Sequence, residues 1–243
     1  MRGPNGIVLK NATVRATVSL EGGWLDTLTI RGAEVLYPKQ TVLYENGIQK
    51  IRGGCHVCAP NFGPGGKSRL PQHGFARESL WSIMSIDSTT VVLGMLDLPG
   101  GYRLVEFELV YELTRSGISI TLKAHNKSSE PVRIEPGFHP YFSTRRSSVL
   151  VDMECLELEK LRDPLFMNKA PTTITFGGIS YKVGAKNLPL WVLWTDRSQE
   201  YVCLEPTFNG FSFLQEDGTN DHLLMPGKKE EWSFAIEHKK ELN

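Results

Sequence analysis

The sequence predicts an all-β protein built as a large antiparallel β-sandwich, on three observations. Apolar and polar residues alternate over long stretches, the mark of strands with one wet face. Glycine and proline punctuate the gaps between those stretches. Helical periodicity is scarce, and parallel sheets need crossovers of a dozen or more residues. The 243 residues are enough for a sizeable core. No internal repeat, low-complexity tract or linker divides them, so residues 1–243 read as one domain.

From the N-terminus, residues 11–20 and 27–30 read as short strands, with Gly22-Gly23 between them. The stretch 52–77, RGGCHVCAPNFGPGGKSRLPQHGFAR, breaks the pattern, because glycines and prolines at this density do not hold a regular ladder. A long loop of this composition is more often functional than not. Within it Cys55-His56-Val57-Cys58 has metal-ligand spacing, but no second CxxC or HxxxH exists to complete a site. Small buried residues in a strand are the simpler reading. Residues 90–93 form the next strand, and Pro99-Gly100-Gly101 ends it. In 102–113, Val105, Phe107, Leu109, Tyr111 and Leu113 share one face, and Glu106, Glu108 and Glu112 the other. Residues 117–126 repeat the alternation, so Arg115-Ser116-Gly117 reads as a hairpin turn. In 149–161, Val149, Met153, Leu156 and Leu161 fit one helical face, while a strand over 149–155 competes and is preferred. Residues 191–194, 201–205 and 231–237 complete the strands.

Charge narrows the function. Lys and Arg total 27, Asp and Glu also 27, and no long run of one sign occurs. Nucleic acid and anionic membranes, which call for a basic footprint, are therefore excluded as expected partners. No apolar stretch approaches the roughly 18 residues of a membrane span. No apolar segment of signal-peptide type follows the first residues, so the expected location is cytoplasmic. Four cysteines (Cys55, Cys58, Cys155, Cys203) are too few for a disulfide framework and are expected to be reduced.

Three segments carry residues suited to chemistry. In Gly137-Phe138-His139-Pro140-Tyr141-Phe142, an imidazole sits in an aromatic wall, where desolvation lowers its pKa and an opposing carboxylate raises it. A core histidine bonded to a backbone carbonyl fits equally well. In Tyr201-Val202-Cys203-Leu204-Glu205-Pro206, strand alternation puts Tyr201, Cys203 and Glu205 on one face, and Glu205 ends the strand as a candidate base, although an exposed strand-end glutamate is the simpler reading of this segment alone. In Arg52-Gly53-Gly54 and Gln72-His73-Gly74-Phe75-Ala76-Arg77, glycines beside charged side chains would let a ligand approach the backbone. Arginine there offers a donor fork for hydroxyls or phosphate.

Taken together, Arg52-Gly53-Gly54, Pro60-x-Phe62-Gly63, HGFAR at 73–77, HPYF at 139–142 and CLEP at 203–206 occur in the order seen in one family. The chain resembles the aldose 1-epimerase family, and most closely its glucose-6-phosphate 1-epimerase (hexose-6-phosphate mutarotase) branch. The resemblance implies the galactose mutarotase-like supersandwich fold and a mutarotase that interconverts sugar anomers. It implies catalytic roles for His139 and Glu205, substrate-binding roles for His73 and Arg52, and a binding or bracing role for Arg77. It implies no metal or organic cofactor, and a small sugar or sugar phosphate as partner. The family's glutamate-proline pair is commonly followed by tryptophan, whereas Thr207 follows here. A family aspartate that faces a sugar hydroxyl is expected within 152–196, where Asp163 and Asp196 are candidates.

The expected mechanism uses Glu205 as base and a protonated His139 as acid, facing each other across a gap the width of a pyranose. A carbohydrate-binding protein on the same fold, a glycoside hydrolase or lyase, and a metal protein built on His56, His73 and His139 are the alternatives. Arg52, Lys67, Arg69 and Arg77, all in the 52–77 stretch, lean the substrate slightly toward a phosphorylated sugar.

Overall fold

The computed structural model describes residues 2–3, 6–144, 147–211, 213–214 and 221–239. Two large antiparallel sheets carry the fold. The first runs, edge to edge, Arg2–Gly3, Gly6–Lys10, Val14–Val18, Leu25–Ile30, Cys55–Cys58, Gly137–Ser143, Tyr201–Thr207, Leu190–Trp194 and Leu165–Met167, with Ala33–Glu34 beside Leu25–Ile30. The second runs Glu154–Glu157, Ser148–Val151, Thr173–Phe176, Ile179–Lys186, Lys229–His238, Gly117–Asn126, Val105–Leu113, Thr90–Met95 and Trp81–Ile86.

The core joins the two sheets. Val105, Phe107, Leu109 and Tyr111 from the second meet Phe138, Phe142, Trp191, Leu193, Val202 and Leu204 from the first in one buried cluster. Burying each aliphatic or phenyl side chain of this kind contributes about 1.5–3 kcal/mol relative to leaving it exposed. The predicted hairpin forms as read, Val105 pairing with Asn126 through to Leu113 with Ile118.

The strands Cys55–Cys58, Gly137–Ser143 and Tyr201–Thr207 differ from those of the second sheet. Nearly every residue in them is buried, on both faces. One face packs on the core and the other lies at the floor of a cavity walled in part by loop residues such as Phe62, Gln72 and His73. An antiparallel strand with two covered faces loses its polar alternation, which explains why period two did not mark Gly137–Ser143. The strands Gly6–Lys10, Trp81–Ile86, Thr173–Phe176 and Ile179–Lys186, and the hairpin of Gln40–Leu43 with Gln49–Arg52, also went unpredicted. Predicted strand 11–20 begins only at Val14, because the Asn11 side-chain oxygen accepts from the Thr13 and Val14 amides and makes a turn. The 52–77 stretch is no continuous loop: it holds the Cys55–Cys58 strand and two 3-10 turns, Gly66–Ser68 and Ala76–Glu78. Over 149–161 the strand reading is the better one, with Ser148–Val151 and Glu154–Glu157 joined at Asp152 and Met153, both at positive φ. Leu158–Leu161 adds a 3-10 turn. No helix among the described residues is long and apolar enough to cross a membrane.

Candidate active site

Strand register brings the distant motifs together. Gly137 pairs with Thr207 and Tyr141 with Cys203, which sets His139 opposite Glu205 on the neighbouring strand. On its other side His139 pairs with His56. Alternation sends Phe138, Phe142, Val202 and Leu204 into the core, leaving His139, Tyr141, Cys203 and Glu205 on the opposite face.

His139 Nε2 lies 3.4 Å from Glu205 Oε2, with both residues buried. The expected gap between them is absent. Opposed residues on adjacent strands have Cβ atoms only about 4.5–5.5 Å apart, so two inclined side chains meet directly. The open space lies beside the pair instead, in a cavity of about 640 Å³ that both residues line together with Arg52, His73 and Arg77. All five residues singled out from the sequence thus border one cavity.

Burial sets the protonation of the pair. It pushes the Glu205 carboxyl well above its ordinary value. It pushes the His139 imidazole well below, with His73, Arg77 and Arg52 adding to the effect. Both shifts favour the neutral forms of the two groups, because burial penalises either charge. His56 is likewise well below its usual value, by burial and then His139.

His73 takes a left-handed backbone, φ 68°, and Gly74 follows at φ 67°. A Cβ on residue 74 would stand 2.0 Å from the Ala59 carbonyl oxygen, so only glycine permits this turn. The turn places the His73 ring at the cavity, 5.0 Å from that of His139. Burial, then Arg77, pushes the His73 imidazole down to about 3.

Arg52 ends its strand with Nε and Nη2 both 2.9 Å from Asp196 Oδ2. Its guanidinium lies over the rings of Tyr44 and Trp194. Asp196 also accepts from the hydroxyls of Tyr44 and Tyr201 and from the Ser198 amide. Burial works against the charged Asp196, but the bonds from Ser198, Tyr201 and Tyr44 prevail and hold it well below the usual carboxylate range. Burial also works against Arg52, yet Tyr141, Tyr201 and Asp196 leave it above its ordinary value. The Arg52-Gly53-Gly54 glycines make room for protein rather than ligand: a Cβ on Gly54 would meet the Leu25 carbonyl at 2.4 Å.

Arg77 lines the cavity with its side chain, its Nε 3.6 Å from Glu78 Oε1, while its carbonyl accepts from Trp24 Nε1 at 3.0 Å. Neither aspartate candidate borders the cavity, since Asp196 is engaged by Arg52 and Asp163 is exposed. Lys67 and Arg69 do not line it either, whereas Lys50 does. His56, His73 and His139 do cluster, with ring centroids 4.9 to 5.8 Å apart. Their nitrogens nevertheless form no compact ligand set, and His56 Nδ1 faces Cys58 Sγ at 3.6 Å. Sequence reasoning missed Tyr44, Ser198 and Trp194, which no local pattern marks.

The family model described as aldose 1-epimerase matches residues 6–175. The chain belongs to that family. A protein of Escherichia coli strain K12, provisionally named glucose-6-phosphate 1-epimerase, is 32% identical over 146 residues, which cover 57% of this chain and 45% of that protein. A provisionally so named protein of Cenchrus ciliaris is 30% identical over 154 residues, covering 56% of this chain and 46% of its own. The chain thus spans about half the length of the curated relatives it matches. Among solved structures, the Slr1438 protein of Synechocystis sp. PCC 6803 aligns at TM-score 0.77 and 20% identity, over 98% of this chain and 97% of the other. A galactose mutarotase related enzyme of Lactobacillus acidophilus aligns at TM-score 0.77 and 16% identity, over 96% and 97%. Their likeness establishes the mutarotase-like fold of this aldose 1-epimerase family member.

Proposed function

We propose that this chain is a mutarotase that interconverts the α and β anomers of an aldohexose or its 6-phosphate, acting as one aldose 1-epimerase-like domain. The observation that carries this reading is the His139–Glu205 contact at the edge of a cavity large enough for a hexose. Glu205 takes the proton of the anomeric hydroxyl, and His139 delivers one to the ring oxygen. The C1–O5 bond breaks as the C1 carbonyl forms. Rotation about C1–C2 presents the other carbonyl face, and closure with the proton transfers reversed gives the other anomer.

Binding itself prepares the pair. The anomeric hydroxyl donates to Glu205 and stabilises its carboxylate, while the ring oxygen accepts from His139 and favours the imidazolium. The sugar thus sets the pair as carboxylate and imidazolium across the 3.4 Å contact. His73 and Arg52 hold neighbouring oxygens of the sugar, and orientation of this kind lowers the barrier by prior loss of entropy. Lys50 and Arg77 on the cavity wall support a 6-phosphate as the preferred substrate, because charge-assisted bonds from cations suit phosphate.

Anomer exchange followed by magnetisation-transfer NMR on glucose, galactose and glucose 6-phosphate tests this reading. Exchange is expected fastest on the phosphate. Glu205→Gln and His139→Asn are each expected to lose about 10²–10⁴-fold. Folded variants that exchange at the wild-type rate would refute the assignment, and sugar binding without exchange would mark a binding protein instead.

A further inference from the structure

We propose that His139, Cys203 and Glu205 form an inhibitory site for one thiophilic divalent cation, zinc being the physiological candidate. Each residue offers one ligand atom, and the nitrogen, sulfur and oxygen all lie within 4.8 Å of one another. The sheet itself builds this triangle. Cys203 and Glu205 stand two residues apart on one face of a strand, and His139 sits opposite Glu205 on the next.

Zinc bonds of about 2.0 Å to nitrogen and oxygen and about 2.3 Å to sulfur set tetrahedral ligand separations of about 3.3–3.8 Å. The His139–Glu205 separation of 3.4 Å already fits. The sulfur lies within 4.8 Å of both partners, so it has at most about 1.3 Å to close to the roughly 3.5 Å separation of a tetrahedral site. One imidazole, one thiolate and one carboxylate suit zinc or cadmium, whereas magnesium and calcium favour oxygen alone. Three protein ligands leave a fourth position, and because His139 and Glu205 line the cavity, that position opens toward it for water or a sugar hydroxyl.

The proposed proton chemistry involves only His139 and Glu205. Cys203 is fully buried and packs with Tyr141 and Tyr201, and its thiol stands beside the pair. When the ion binds, two protons leave, one from the thiol and one from the carboxyl, and their two negative charges neutralise it. The ion then occupies the two atoms that would carry the reaction's protons. That inhibition rests on the proposed mutarotase reading, whereas binding of the ion does not.

The test uses the full chain carrying Cys155→Ser, which removes the exposed thiol. Calorimetry with zinc chloride and the near-ultraviolet thiolate band with cadmium chloride report binding, and NMR exchange reports activity. One ion per chain is expected, with a cadmium–thiolate band, loss of exchange in proportion to occupancy, and recovery on adding EDTA. Adding Cys203→Ser is expected to abolish the band, weaken the ion at least tenfold and keep basal exchange. Cys203→Ala repeats the measurement should the serine variant fold poorly. Absence of the band in the parent, or its survival in both Cys203 variants, overturns the site. A band in protein that shows no exchange even without metal would instead overturn the mutarotase reading and leave the site standing.

Discussion

At the scale of single residues, Glu205 works against the fold that holds it. Its carboxyl titrates well above the ordinary value of 4.5 because it is buried. The unfolded chain therefore ionises it first, and the folded state loses stability as pH rises from 4.5 to the folded titration point. The loss is about 1.4 kcal/mol for each pH unit of that interval. Glu205→Gln is accordingly expected to unfold at higher urea than wild type at pH 7, while losing exchange. The margin is expected to shrink toward pH 4.5, and urea curves at several pH values measure it. A variant no more stable than wild type at pH 7 would show that the carboxylate is better solvated than the structure implies.

At the scale of elements, the hairpin bearing Arg52 is fixed to the rest of the site through Asp196. Removing that carboxylate frees the guanidinium over Tyr44 and Trp194 without touching His139 or Glu205. Asp196→Asn is expected to raise KM about tenfold, equivalent to about 1.4 kcal/mol, with kcat within about twofold. Equal losses in kcat and kcat/KM would count against a binding role for Arg52. This network also shows what the sequence conceals. His139, Glu205, His73, Arg52 and Arg77 stood out as ionisable groups inside glycine-rich or apolar motifs, but each motif alone was weak, and it was their combined resemblance to one family that singled them out. Tyr44 was not legible, because it meets Asp196 from a loop far off in the sequence, and Ser198, two residues on from Asp196, is an uncharged loop residue that nothing set apart. The Glu-lined strand 105–113 was legible from alternation, whereas Gly137–Ser143 was hidden by burial of both its faces. The separation of acid and base was misjudged because it depends on register, and no residue type encodes register between strands sixty positions apart.

At the scale of the whole molecule, His56, His73 and His139 make the fold acid-sensitive. All three titrate below their usual 6.5 in the folded state, primarily through burial. Below pH 6.5 the unfolded chain takes up protons that the folded chain refuses, so stability falls with pH from there toward the folded values. Three such groups contribute up to about 4 kcal/mol per pH unit, and Glu205 opposes them only above 4.5. Circular dichroism in urea between pH 4.5 and 6.5 is expected to show the net slope, with His73→Gln removing about half of it. A flat profile would mean that these rings gain protons without unfolding. The meeting of His139 with Glu205 is a single rung of one ladder, flanked along its strand by Phe138 and Pro140. A slip by one step would present a ring or a pyrrolidine where the imidazole stands and would turn an apolar face outward. On the proposed reading, turnover and correct strand alignment share one point of failure, and measured exchange in a purified sample would double as an assay of whether the chain has zipped up in the right frame.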